Sequence, residues 1–237
     1  MKLRILFITV FLSISMAGMS QAMWILIFGD KLSNERMQSG INVSAGTVNY
    51  IGLPEAHFAV NWAIGGFSEI RLSKKSLFFA FDFTVKSPLG ASNLNSYFPD
   101  VIQDTSLLEK QNIVLDNVAF SLPLYLKYKT KYFGFGTGPQ LSYIYKSTLR
   151  YNAETTSGKD ILVKSEAKSY INKFDVGWFA MAEFFLTPNH PKTSLRLGAR
   201  YFIGFMEPLK SQSKVNNSNF MFTLGIPIGG KEKLPDK

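Results

Sequence analysis

The chain has 237 residues, of which 46% are hydrophobic and 18% charged, and its formal net charge is +9 at pH 7. This composition excludes a disordered chain, because the apolar content is high and the charged content is low. The absence of cysteine excludes disulfide scaffolds, thiolate zinc sites, cysteine nucleophiles and Cys-anchored lipoproteins. Since the chain has two histidines, we expect no metal site, and we also expect no cofactor.

The first 22 residues have the features of a secretory signal peptide. Lys2 and Arg4 form a basic start, residues 5–16 are mostly apolar, and Ser20 and Ala22 suit the −3 and −1 positions of a cleavage site. The apolar stretch is short for a membrane helix, which needs about 20 residues. We therefore expect residues 1–22 to direct export.

Eight later segments alternate between apolar and polar residues with period two, as strands with two unlike faces do. The alternation is cleanest in the third segment, where every second residue from Leu77 to Val85 is Leu, Phe or Val. The predicted strands cover residues 40–50, 57–72, 77–86, the run between Ile113 and Tyr128, and residues 132–151, 170–186, 194–205 and 218–228.

Short and long connections alternate between these strands. Residues 73–75, 129–131 and 187–193 are short, whereas 50–56, 87–112, 152–169 and 208–217 are mostly longer and polar. An up-and-down barrel of an outer membrane has this layout, with tight periplasmic turns and larger external loops. The predicted fold is all-β: an eight-stranded antiparallel up-and-down transmembrane β-barrel at residues 39–229. A periplasmic segment at 23–38 precedes it and a polar tail at 230–237 follows it.

Alternation alone does not say which face of each strand lies inside. A soluble sandwich or lipocalin turns its apolar face inward, whereas an outer-membrane barrel presents that face to lipid. Glycine shares the polar face here, which suits a crowded interior better than a solvated surface, because glycine without a packing reason weakens a strand. The glycines concerned are Gly134, Gly136, Gly138, Gly177, Gly198, Gly204 and Gly225.

Charged side chains on the polar face are then predicted to lie in the lumen as a structural network. We expect them to be paired, because burying an unpaired charge is costly. Glu183 and Arg196 flank the turn at 187–193 at nearly equal distance and should be cross-strand neighbours. Side chains can fill an eight-stranded barrel, so we predict a plugged interior without an open pore. The predicted network is Glu69, Arg71, Asp82, Lys127, Lys173, Asp175, Glu183, Arg196 and Arg200.

Six stretches, together spanning most of the exported chain, carry a family resemblance. They are residues 28–31 (FGDK), 39–44 (SGINVS), 72–75 (LSKK), 122–128 (LPLYLKY), 136–141 (GTGPQL) and 198–201 (GARY). In order and spacing the chain resembles the PorT-like outer-membrane β-barrels of Bacteroidetes-type bacteria, which are eight-stranded barrels of the OmpA/OmpX kind. The resemblance implies an integral outer-membrane barrel. The founding member of the family assists protein export through a secretion system.

Barrel enzymes that modify lipids need a nucleophile or an activated water beside a base. His57 with Glu55 is the conceivable hydrolytic pair, and His190 lies in a predicted periplasmic turn. No serine occupies a Gly-x-Ser-x-Gly elbow. We therefore predict that the protein is not an enzyme.

The basic residues concentrate in turns, loops and the tail, without a basic helix or an aromatic–basic platform, so we expect no nucleic-acid partner. Exposed lysine and arginine suit the phosphates of lipopolysaccharide at a bacterial surface. We expect outer-membrane lipid and lipopolysaccharide as partners, although for the individual lysines and arginine near the third external loop a solvated loop is the favoured interpretation and a phosphate site the alternative. The residues concerned are Lys146, Arg150, Lys159, Lys164 and Lys168.

The leading hypothesis is a monomeric, non-enzymatic outer-membrane barrel with a structural, adhesive or accessory role. Its extracellular loops or its periplasmic rim would contact a protein partner or lipid. The alternatives are a secretion-accessory or small-solute barrel, a lipid-modifying barrel enzyme, and a soluble lipocalin-like protein that binds an apolar ligand.

Overall fold

The computed structural model describes residues 37–72, 76–98, 108–190 and 193–228. These residues form nine β-strands and a short 3₁₀ turn at Asn95–Tyr97. The strands are β1 (Met37–Ile51), β2 (Ala59–Arg71), β3 (Leu77–Ala91), β4 (Leu108–Lys129), β5 (Phe133–Thr155), β6 (Asp160–Glu166), β7 (Phe174–Phe185), β8 (Arg196–Gly204) and β9 (Asn216–Ile228).

Eight of the nine strands form a closed antiparallel ring. Strands β1 to β5 pair in chain order, β5 pairs with β7, and the ladder continues through β8 to β9. Strand β9 then returns to β1, from Ser39↔Ile228 to Ile51↔Asn216. Closure removes the free edges that an open sheet would present. The predicted eight-stranded up-and-down barrel is therefore confirmed.

The ninth strand, β6, stands outside the ring. It forms a hairpin with the outer part of β5, from Thr148↔Glu166 to Glu154↔Asp160. In the turn of this hairpin, Thr155 N donates to Lys159 O at 2.9 Å. The sequence prediction placed a loop at residues 152–169, and this was wrong for most of them. Both faces of β6 are largely exposed, so its sequence lacks the alternation that marks a strand with two unlike faces.

The ring has apolar side chains outside and polar side chains inside. In β7, Phe174, Val176 and Trp178 are 55%, 40% and 48% exposed, whereas Asp175 and Glu183 are only 3% and 6% exposed. A water-soluble barrel has the opposite polarity. An apolar exterior around a charged interior is the arrangement of a barrel that spans a membrane.

The two ends of the ring differ, as the connection lengths predicted. At one end lie the short connections, such as the turn in which Thr130 N donates to Phe133 O at 2.7 Å. At the other end lie the connections β1–β2, β3–β4, β5–β7 and β8–β9. We call these the short-turn end and the long-loop end.

Strand β4 shows how the interior changes between the two ends. Its inward residues begin at the short-turn end with Lys129 and Lys127, continue with Ser121, and finish with Leu115 and Ile113. Each of these side chains is buried. The interior is therefore charged near the short turns, small and polar in the middle, and apolar near the long loops.

Two β-bulges, one on each side of β4, accompany this change. An extra residue in β3 shifts its register against β4 between Thr84 and Ser87, and an extra residue in β5, Tyr145, shifts its register at Val118 and Ala119. A one-residue shift exchanges the two faces of a strand. Beyond the bulges, Leu89 and Leu149 are buried inside.

The two bulges are connected on the outer surface of the barrel. The Tyr145 hydroxyl donates to Val85 O at 3.2 Å, which joins the bulge of β5 to the bulge of β3 across β4. The Phe120 ring stacks on Tyr145 at 4.4 Å and on Phe83 at 6.0 Å. We call Phe83, Phe120 and Tyr145 the aromatic row. Aromatic side chains favour the boundary between hydrocarbon and water.

Between the bulges and the long loops, a packed apolar core fills the lumen of the barrel. Cα atoms of β3 come within 8 Å of Cα atoms in β1 and β9, which are not its ladder neighbours. The β2–β3 ladder stops at Ile64↔Lys86, whereas the end of β3 stays paired with β4 as far as Ala91↔Leu115 and Ser92 is bridged to His57. The core includes loop residues as well as strand residues, among them Tyr50, Leu53, Leu89, Leu94, Phe98, Ile113, Leu115, Ile144, Leu149, Ile171, Phe202, Leu209 and Val215.

Within the described residues, no helix is long and apolar enough to cross a bilayer. The predicted signal peptide at 1–22, residues 23–36 of the expected N-terminal segment, the turn at 73–75 and the tail at 230–237 lie outside the described residues. Residues 37 and 38 of that segment belong to β1.

Candidate functional site

A cluster of charges fills the lumen near the short-turn end. Glu69 of β2 is its centre, because Lys127 Nζ and Arg196 Nη1 both donate to Glu69 Oε1, at 2.5 Å and 2.6 Å. Lys129 Nζ donates to the other oxygen, Oε2. One buried carboxylate thus holds three cations that come from β4 and β8.

Glu183 of β7 supplies a second carboxylate to the same cluster. It forms an ion pair with Lys127, and its Oε1 lies 3.8 Å from Arg196 Nη1. The expected cross-strand pair of Glu183 and Arg196 is a diagonal one, because Arg196 lies opposite Phe185 in the ladder. Arg196 also covers the Phe67 ring at 4.4 Å. We call Glu69, Lys127, Lys129, Glu183 and Arg196 the charge cluster. It holds three positive and two negative groups.

The inward glycines of β5 make room for these side chains. A Cβ atom at Gly134 would lie 2.8 Å from Glu183 Oε1, and one at Gly136 would lie 2.7 Å from Tyr125 Cδ2. Either contact would force the neighbouring side chain to move. The structure thus gives a packing reason for glycine on the polar face of this strand.

A second polar group lies next to the charge cluster, farther from the short turns and toward the middle of the lumen. Asp82 of β3 accepts hydrogen bonds from Tyr125 OH at 2.9 Å and from Asn42 Nδ2 at 3.2 Å. Arg200 Nη1 lies 2.6 Å from Asp82 Oδ2. The Asp82 carboxylate is thereby paired with one cation and two neutral donors.

The middle of the lumen contains small polar side chains and little space. Ser44 is hydrogen-bonded to Thr223 at 2.8 Å, and Ser121 to Ser142 at 2.8 Å. The cavity beside them has a volume of about 40 Å³. This space has room for a few water molecules at most and is too small for a metabolite.

Three of the predicted network residues have other surroundings. Asp175 is buried near the apolar core, where it accepts from Asn217 Nδ2 at 2.7 Å and from Met206 N at 3.3 Å. Arg71 is exposed at the end of β2, where it faces the Phe78 ring at 5.5 Å. Lys173 is exposed just before β7 begins. Arg71 and Lys173 thus lie outside the lumen, because each stands where its strand ends at a rim of the barrel.

Sequence reasoning missed several members of the two polar groups. Lys129 fell in a predicted turn, although continuing the alternation past Lys127 would have placed it inside. Asn42 and Tyr125 lie on the inward face, but as uncharged residues they gave no reason to assign them to a network of charges.

The residues considered for hydrolysis are not assembled as a catalytic pair. The Glu55 carboxylate accepts a hydrogen bond from Ser96 Oγ, while the His57 backbone pairs with Ser92. His190 is a turn residue, since its N–H donates to Thr187 O at 2.9 Å and its C=O accepts from Thr193 N at 3.1 Å. Over the part of the chain that the structure describes, no three histidine or acidic side chains are grouped as metal ligands.

The outer surface of the long-loop end carries the lysines that the sequence singled out. Lys146, Lys164 and Lys168 line one open depression of about 340 Å³. Arg150 instead forms an ion pair with Asp116 at 2.7 Å. Lys159 lies farther out, in the turn between β5 and β6.

No protein-family model matches the chain. No curated protein is similar to it in sequence. Among solved structures, the Ail protein of Yersinia pestis, crystallised with the heparin analogue sucrose octasulfate, is 9% identical with a TM-score of 0.42, over 81% of this chain and 99% of that one. Neisserial surface protein A is 14% identical with a TM-score of 0.38, over 79% and 96% of the two chains. The CymD monoaromatic hydrocarbon channel is 9% identical with a TM-score of 0.28, over 85% and 90%. The assignment of a membrane-type barrel rests on the closed ladder and its polarity, not on these similarities.

Proposed function

We propose that the protein is an integral outer-membrane β-barrel without enzymatic activity, which acts through its long-loop surface or its short-turn rim in a structural, adhesive or accessory role. The observation that carries this proposal is the polarity of the ring. Apolar side chains such as Trp178 and Phe222 are exposed on the outside, whereas Glu69 and Arg196 are buried inside. Only a surrounding of hydrocarbon makes that exterior favourable.

The packed interior supports a barrel that conducts no solute. The charge cluster fills the lumen at one end, the apolar core fills the other, and the cavity between them measures about 40 Å³. A small-solute role would require both layers to move. Because the lumen is filled, we place the function on the surfaces that face the outside medium or the periplasm.

The remaining parts of the proposal concern export and partners. Residues 1–22 would direct the chain to the outer membrane, where it would be a monomer that meets a protein partner through its loops or its rim. The PorT-like resemblance of the sequence adds a secretion-accessory role as the alternative within the same class. Deletion of the gene followed by analysis of secreted proteins would separate that alternative from a purely structural or adhesive role.

Two measurements test the proposal. The purified barrel should migrate differently on a gel before and after heating in surfactant, and it should need surfactant to stay in solution. In a planar bilayer it should show no steady conductance. A chain that stays monomeric in plain buffer would contradict the membrane assignment, and steady open channels would contradict the closed lumen.

A further inference from the structure

The outer wall of the barrel has an apolar groove just below the aromatic row. It measures about 340 Å³ and runs across β3, β4, β5 and β7. Its main lining side chains point outward, and they are Phe120, Leu122, Leu141, Tyr143, Phe174 and Val176. Its volume is in the range of pockets that bind small ligands, and its lining is almost entirely apolar. In a membrane, a groove in this position faces the acyl chains of lipids. We call it the outer groove.

A group of exposed lysines lies directly above the outer groove. Lys146, Lys164 and Lys168 line the open depression described above, together with Glu166. Lys168 Nζ lies 2.6 Å from Glu166 Oε1. This hydrogen bond, together with smaller effects that include the charge of Lys173, holds the pKa of the Glu166 carboxyl below its usual value. We call Lys146, Lys164, Lys168 and Lys173 the lysine cluster, since Lys173 is near enough for its charge to act on Glu166. It places four positive charges beside one negative charge.

The lysine cluster and the outer groove are adjacent along β5 and at the start of β7. Lys146 follows Tyr145, whose ring stacks on Phe120 of the groove at 4.4 Å. Lys173 precedes Phe174, whose ring contacts Tyr143 at 5.0 Å. Each of two neighbouring strands therefore carries a lysine within three residues of an aromatic side chain that lines the groove.

We propose that this site binds lipid A, the acylated and phosphorylated part of lipopolysaccharide, with an acyl chain in the outer groove and the phosphate groups on the lysine cluster. The proposal rests on the membrane placement proposed above and adds a specific ligand to it. An acyl chain matches the apolar lining, and a phosphate at the membrane surface matches the excess of positive charge. Because the lysines and the groove are adjacent on two neighbouring strands, one molecule can contact both.

Binding is measured by native mass spectrometry of the full barrel in detergent micelles, titrated with purified lipid A. The test variant is Lys146→Gln with Lys164→Gln, and the matched control is Lys131→Gln with Lys214→Gln, two exposed lysines that remove the same charge away from the groove. Each lysine near a charged lipid surface contributes about fivefold in affinity, so the test variant should bind about 30-fold more weakly. The control should bind as the wild type does.

A second pair of variants tests the apolar half of the site. Val176→Trp should fill part of the outer groove and weaken lipid A binding severalfold, whereas Leu224→Trp, on the outer face of β9, should leave it unchanged. Lipid A stripped of its phosphates should bind the wild type as weakly as intact lipid A binds the double lysine variant.

Several results would overturn the proposal. If the lysine variant and its control bind lipid A equally well, the lysines do not contact the phosphates. If the wild type binds phosphatidylglycerol as tightly as lipid A, the site has only a general attraction for anionic lipid. A dimer that excludes lipid would show that a second copy of the chain covers the groove. If the barrel shifts on heating but has no preference for lipid A, this proposal fails while the membrane placement stands. If the chain stays in solution without surfactant, both fail.

Discussion

On the side of the barrel formed by β3, β4 and β5, the two ends have opposite polarity. Near the short turns, charged side chains such as Glu69 and Lys127 are buried inside, and apolar side chains such as Leu126 and Phe135 are exposed outside. Near the long loops, Leu115 and Leu149 are buried inside, and Lys146 is exposed outside. Each region exposes the type of side chain that its surroundings solvate: apolar side chains where the barrel meets hydrocarbon, and charged side chains where it meets water. On this side of the barrel the reversal therefore marks the boundary between hydrocarbon and water, whereas on β2 the apolar Val60 remains exposed outside near the long loops.

The difference also shows how a continuous strand can serve both surroundings. Strict alternation in β5 would have placed Lys146, Thr148 and Arg150 inside, because Gln140 and Ser142 are inside. The extra residue at Tyr145 prevents this, and the bulge in β3 has the same effect near Lys86. One inserted residue thus exchanges the inward and outward faces of a strand, and the hydrogen-bonded ladder resumes directly beyond it.

The largest expected effect comes from the centre of the charge cluster. Glu69→Ala leaves Lys127, Lys129 and Arg196 buried with a single carboxylate, that of Glu183. Removing one partner of a buried ion pair costs about 3–5 kcal/mol, so the free energy of unfolding should fall by that amount. The measurement is denaturant unfolding in lipid vesicles, followed by the heat-dependent shift on a gel.

The matched control for that variant is an exposed ion pair at the other end. Lys110 Nζ lies 2.6 Å from Glu154 Oε2, with side chains that are 75% and 31% exposed. Glu154→Ala should lower the free energy of unfolding by only about 0–1 kcal/mol, because water screens the pair. Equal losses in the two variants would contradict the view that the lumen charges depend on their burial.

The next effect is expected at the long-loop end. Leu115→Ala removes a fully buried side chain from the apolar core and should cost about 2–4 kcal/mol, through lost transfer energy and the cavity left behind. The effect should be local: the loops should become more sensitive to protease while the membrane-embedded half keeps its shift on heating. A simultaneous loss of that shift would mean that the two regions unfold as one unit.

The sequence predicts the ring well because the membrane imposes a strict pattern on it. Residues 77–84 and 117–128 alternate cleanly, since one face meets lipid and the other meets the lumen. The pattern weakens where both faces meet water, as in β6, and there the prediction was wrong. The pattern also assumes that every second residue stays on the same face along a whole strand. It therefore could not locate the bulges at Val85 and Tyr145, where the faces exchange.

The candidate site was less predictable, for physical reasons. Alternation predicts which face of a strand a residue lies on, but not its position along the barrel axis. It therefore could not show that Lys173 and Arg71 lie at the rims. Nor could it show that Glu69 joins Arg196 across the lumen, because that contact depends on the closure of the ring between β9 and β1. The outer groove depends on how residues from four strands meet, which no single segment of the sequence reveals.

The smallest effect is expected at the boundary between the two regions. Tyr145→Phe keeps the ring on Phe120 but removes the hydrogen bond to Val85 O, which joins the two bulges. An ordinary hydrogen bond contributes about 0.5–1.5 kcal/mol, so unfolding in lipid vesicles should become easier by that amount. Tyr128→Phe, an outward tyrosine near the short turns, is the control and should change stability less. If the two variants are alike, the link between the bulges adds nothing, and the change of polarity depends on the bulged backbone alone.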